Sequence, residues 1–152
     1  MVRHPWFSPL ALGLVVLGGV LGVAARAIIV VPLTVPGDGV HPLVVPAVTL
    51  AINLAGSFLL GGVVGWAGER RPHLRLFLGT GVVGGFTTYS AFAVQASTVS
   101  AAVPIVGVAL IAVSLFGGMV AAALGLDLGL RLTARNADGS ADPDALAPGD
   151  AE

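Results

Sequence analysis

The sequence predicts an all-α membrane protein of four transmembrane helices, the third broken near its middle. Three observations predict it. Of 152 residues, 56% are hydrophobic and only 10% are charged, whereas a soluble domain carries about a quarter charged residues. The apolar residues gather into runs of roughly 20 or more, the length a helix needs to cross the hydrocarbon core of a bilayer. One of those runs concentrates glycine and threonine near the centre of a span, a composition that a continuous helix disfavours.

The elements follow in order. Leu10 to Val31 is apolar with one charge, Arg26. It exceeds the apolar core of a signal peptide, and no clear small-residue cleavage site follows, so it is expected to stay as a helix. Pro32 to Leu43 holds three prolines, two glycines, Asp38 and His41, the makings of an ordered turn. Val44 to Gly68 carries no charge and forms the second span; Glu69 to Arg75 is a compact charged loop. Leu76 to Leu126 is uncharged and long enough for two spans. Pro104 suits a first helical turn and divides it into helices at about 76–98 and 104–127. The four-helix transmembrane domain is therefore 1–131. Residues 132–152, rich in Ala, Asp, Gly, Ser and Pro without apolar periodicity, read as a disordered tail.

Charge excludes several function classes and gives an orientation. Net charge is −1, so no basic footprint points to nucleic acid. Cysteine is absent, which removes disulfides, thiolate catalysis and cysteine metal sites. Four spans place the N-terminus, the 69–75 loop and the C-terminus on one side. Arg3, Arg70, Arg71, Arg75, Arg131 and Arg135 lie there, against at most Arg26 on the other. The positive-inside rule puts that side in the cytoplasm.

Polar residues inside the spans are the candidates for chemistry. Thr49, Asn53, Ser57 and Gly61 follow one another at intervals of four along one face of the second helix. Helix packing accounts for Ser57 and Gly61. Asn53 asks for more, because an amide at mid-membrane is costly without a partner or water, and its NH₂ offers two donors to an anion. The third span carries Gly79-Thr80-Gly81-Val82-Val83-Gly84-Gly85-Phe86-Thr87-Thr88-Tyr89-Ser90-Ala91-Phe92. A break there requires burial by protein or a water-filled cavity and frees carbonyls that serve as cation ligands; close glycine packing is the other reading. Tyr89 and Phe92, three apart, share a helical face, and aromatic edges are electropositive. Arg26 either snorkels to the interface or binds carbonyls at a protein interface. Ser114, before Gly117-Gly118, either donates into a shared polar path or bonds back to its own helix.

Three stretches together resemble the fluoride channel family, often called Fluc or CrcB proteins. They are Gly18-Gly19-Val20-Leu21-Gly22-Val23-Ala24-Ala25-Arg26, Thr49-Leu50-Ala51-Ile52-Asn53-Leu54-Ala55-Gly56-Ser57-Phe58, and Gly81 through Phe92. The resemblance covers about residues 10 to 130. It implies an antiparallel dimer with two fluoride pores, each lined by both subunits, in the cell membrane. It implies a pore lined by Asn53, Tyr89, Phe92, Ser90 and Ser114, with Arg26 as a structural arginine. It also implies a central structural sodium ion held by the backbone carbonyls of Gly84 and Thr87. Fluoride is small and strongly hydrated, and close donors along a narrow pore replace its water.

The sequence departs from the family pattern at Tyr89, where phenylalanine is usual, at Ala91 and Ala93, where hydroxyl residues are common, and at Gln95, where glutamate is common. The arginine asymmetry adds a second possibility for assembly, a heterodimer with an oppositely inserted paralog. A transport-inert or half-active subunit of such a heterodimer is the alternative function. A small multidrug-type exporter needs an ionisable carboxylate inside the membrane, and no Asp or Glu lies inside a span. No catalytic motif of a hydrolase or metalloprotease is present, so no enzyme is expected.

Overall fold

The computed structural model describes residues 8–34, 41 and 43–138. Four helical stretches in it are long and apolar enough to cross a membrane, so the chain is a multi-pass membrane protein. The first span is α1 (Pro9–Val30), continued by a short 3₁₀ turn, Val31–Thr34. Ser8 caps it, its hydroxyl accepting from the Ala11 N–H at 3.4 Å, and Pro9 sits where a missing N–H costs nothing. The second is α2 (Val44–Ala67), which ends at Gly68 with φ +50°, a left-handed value that favours glycine.

The third span, Pro72–Ala102, is composite. It contains α3 (Pro72–Arg75), a π-helical stretch, Leu76–Val83, then α4 (Gly84–Phe86), an interruption at Thr87 and Thr88, and α5 (Tyr89–Ala102). The charged loop expected over 69–75 is thus shorter, because Pro72 starts a helix instead of ending a loop. The fourth span is α6 (Pro104–Asp138). Val103, extended at φ −140° and ψ 89°, separates it from α5, so the division falls at Pro104 as the proline predicts. The helix continues well past 127, into the stretch read as the start of the tail. An Arg131–Asp127 pair at 2.8 Å supports it, and the Thr133 hydroxyl lies within hydrogen-bond distance of the Gly65 and Trp66 carbonyls of α2. The rest of that expected tail, 139–152, lies outside the described residues, as do Arg3 and most of the loop after Thr34.

The packing follows membrane logic. Lipid tails are as apolar as leucine, so spans associate through small residues that let backbones approach. Among the described residues the buried apolar side chains are Ile52, Ala67, Val83 and Ala96, while Leu12, Leu17, Val20, Ile28 and Phe116 face outward. Glycines make the contacts. A Cβ on Gly18 or Gly22 of α1 would strike the backbone at Phe77 and Val82 of the third span. One on Gly61 of α2 would strike the Ala122 carbonyl of α6, and one on Gly125 of α6 would strike that of Phe58. Two pairs of spans are therefore locked face to face: α1 on the π-helical stretch, and α2 on α6.

Candidate functional site

The interruption in the third span organises the site. The glycines Gly79, Gly81, Gly84 and Gly85 remain helical, spent on a wide π-helical stretch and on contact with α1. The extended residues are the threonines: Thr87 at φ −79°, ψ 158° and Thr88 at φ −147°, ψ 116°. Both readings of the glycine-rich stretch therefore hold, one beside the other. Threonine is β-branched and accepts extended backbone readily, and its hydroxyl caps the helix that follows. Thr88 Oγ1 accepts from the Ala91 N–H at 3.3 Å.

Asn53 spans the gap. Its Nδ2 donates to the Thr88 carbonyl at 3.1 Å, and its Oδ1 accepts from the Thr88 N–H at 2.9 Å. One amide side chain thereby satisfies both backbone groups of a non-helical residue near the centre of a span, where unpaired groups are costly. One of its two N–H donors remains for another partner.

These bonds have a consequence for the carbonyls before the break. In a continuous helix the Gly84 carbonyl would receive the Thr88 N–H, and the Thr87 carbonyl would receive the Ala91 N–H. Those N–H groups are engaged by Asn53 Oδ1 and Thr88 Oγ1 instead. The two carbonyls that the family resemblance implies as cation ligands are thus both released from the helical ladder. Hard cations take oxygen ligands of this kind.

A cavity of about 290 Å³ opens at the break, bounded by α2, the third span and α6. Asn53, Tyr89, Phe92, Ser114, Gly84 and Thr87 all line it. Ser57, assigned above to packing, lines it as well, whereas Gly61 lies against α6. Ser90 does not line the cavity; it is exposed beside it, its hydroxyl 3.4 Å from that of Thr88. Tyr89 is 84% exposed. Arg26 is elsewhere, lining a second cavity of about 220 Å³ with Thr49, Thr88 and Gln95. The buried Gln95 Oε1 there has no hydrogen-bond partner.

Sequence reasoning gave Thr88 no role. Its signal was present as a hydroxyl residue directly before a resuming helix, but its partner lies 35 residues away. No group of three or more His, Cys, Asp or Glu side chains able to hold a metal occurs among the described residues. A cation at this break would depend on backbone oxygens.

The fold and site define a class: small four-span membrane proteins built around a discontinuous helix with a polar cavity at the break. Comparison with known proteins gives the family. Residues 13–126 match the family described as CrcB-like protein, Camphor Resistance (CrcB), and the chain belongs to it. It is similar to "Fluoride-specific ion channel FluC 2" of Corynebacterium jeikeium (strain K411), 37% identical over 131 residues, which cover 76% of this chain and 77% of that protein. The protein of the same name in Bacillus subtilis (strain 168) is 39% identical over 95 residues, covering 61% of this chain and 72% of its own. That of Leifsonia xyli subsp. xyli is 44% identical over 88 residues, 54% of this chain, and the match spans only 57% of that relative's length.

Proposed function

We propose that this chain forms a fluoride-selective channel that lets fluoride leave the cell passively across the cytoplasmic membrane, relieving fluoride toxicity. One observation carries the reading. The cavity at the break joins a spare amide N–H of Asn53, the hydroxyl of Ser114 and the rings of Tyr89 and Phe92 in one place, with no carboxylate among its lining residues. Donors and electropositive ring edges answer a small anion. Without a carboxylate the cavity cannot couple transport to protons as an exporter does. The names of the relatives support the same choice of ion.

The working unit in this proposal is an antiparallel dimer. Non-helical backbone at membrane depth needs protein around it, yet Tyr89 and Ser90 are exposed in the single chain. A second subunit covers them and completes each pore. A structural sodium ion at the dimer centre fits the freed carbonyls of Gly84 and Thr87, and its charge would hold the two breaks together. The arginine asymmetry favours a second form of assembly, pairing with an oppositely inserted paralog.

The test is fluoride efflux from liposomes containing the purified full-length chain, followed with a fluoride-selective electrode. Efflux should run down its gradient with no pH gradient applied, while chloride stays inside. Equal chloride loss, or transport that requires a pH gradient, defeats the proposal.

A further inference from the structure

A groove between α2 and α6 has no part in the fluoride reading. Phe58, Gly62 and Val63 of α2 face Leu128 and Leu132 of α6 across a cavity of about 250 Å³, with Trp66 also on its wall. The walls are apolar. Gly62 gives the groove depth, since a Cβ there would meet only the Gly125 carbonyl, at ordinary contact distance.

The chemistry changes beside Trp66. The Arg71 guanidinium lies over the indole ring, 4.7 Å from its centroid. Stacking uses the flat face of the guanidinium and leaves its in-plane N–H donors free for a phosphate. The single salt bridge among the described residues, Arg131–Asp127, does not involve it. The short segment around it holds Glu69, Arg70, Arg71 and Arg75, two positive charges in excess. An apolar trough thus ends at a cation that lies over Trp66 and has no salt-bridge partner among the described residues, near the end of a membrane span.

We propose that this groove binds an anionic phospholipid of the surrounding bilayer, with an acyl chain along Gly62 and Leu128 and the phosphate on Arg71. Charge complementarity selects the headgroup, and the apolar trough selects a lipid over free phosphate. The inference rests on membrane insertion alone and is independent of which ion the chain conducts.

Trp66 is a built-in reporter, because the chain has two tryptophans and Trp6→Phe leaves only this one. The full-length Trp6→Phe chain is reconstituted in phosphatidylcholine bilayers containing rising fractions of phosphatidylglycerol brominated on its acyl chains. Brominated phosphatidylcholine serves as the comparison. Half-maximal quenching should need about fivefold less of the anionic lipid, the discrimination one interfacial arginine supplies. Arg71→Gln, an exposed loop change that leaves helix packing intact, should erase that preference. Gly62→Leu fills the trough but keeps the arginine, and it should weaken quenching by the anionic lipid. Equal quenching by both lipids in the Trp6→Phe chain overturns the proposal, as does a preference that survives Arg71→Gln. A preference lost in Arg71→Gln but kept in a helical, folded Gly62→Leu chain means that the arginine attracts phosphate without the groove, and the lipid site fails.

Discussion

Removing the Asn53 amide is the most informative perturbation of the break. In Asn53→Ala both bonds to Thr88 vanish. Interhelical hydrogen bonds in membranes average about 0.6 kcal/mol, so the pair contributes roughly 1 kcal/mol directly. The Thr88 N–H and carbonyl are then unpaired at depth, which adds about 1–3 kcal/mol unless water enters or the helix closes over the break. A total near 2–4 kcal/mol exceeds the roughly 1.4 kcal/mol that shifts a population tenfold. The ratio of intact to disrupted break should therefore fall more than tenfold, and with the amide donor also gone from the cavity fluoride flux should drop at least tenfold. Asn53→Asp separates the two duties of this side chain. An ionised carboxylate still accepts from the Thr88 N–H but donates nothing to its carbonyl, and it places a negative charge in the cavity. Thermal unfolding in detergent should place the parent above both variants, while electrode-recorded efflux should fall at least as far in Asp as in Ala. If both variants fold and conduct like the parent, Asn53 neither holds the break nor serves the ion, and the site is misassigned.

Three further outcomes follow from the same geometry. Phe92→Ile should cut flux more than Phe86→Ile, because Phe92 lines the cavity and Phe86 does not; equal efflux losses in assembled protein would contradict this. Gly22→Ala should destabilise by about 1–3 kcal/mol as its methyl meets the Val82 carbonyl, whereas Gly13→Ala, with nothing within 4 Å, should stabilise by up to about 1 kcal/mol; unfolding midpoints in detergent report the contrast. Single cysteines at Thr34, at the end of the first span, and Glu69, just after the second, are both exposed and should react with an impermeant thiol reagent from opposite faces of the membrane. One-sided labelling at each favours a paralog partner, and equal labelling from both sides favours a homodimer of dual topology.

The sequence alone determined the four spans, because hydrophobic run length is a local property and the bilayer thickness sets its threshold. It also placed the divide at Pro104 and located the region of the break, since glycine, proline and threonine act on the backbone where they stand. It drew Asn53, Ser114, Tyr89 and Phe92 together only through resemblance; no local rule brings residues 53 and 114 to one cavity. The tertiary structure decided what depends on how the helices are turned against each other. Glycine contacts fix α1 on the third span and α2 on α6. That rotation aims Asn53 at Thr88, which leaves the glycines helical, makes the threonines extended and frees the carbonyls of Gly84 and Thr87. It also carries α6 to Asp138, because the Thr133 hydroxyl meets α2 carbonyls that no feature of the sequence between them announces. Composition and periodicity report the preferences of each segment. The partner of a buried polar group is chosen by the packing angle between segments, and that angle exists only once they meet.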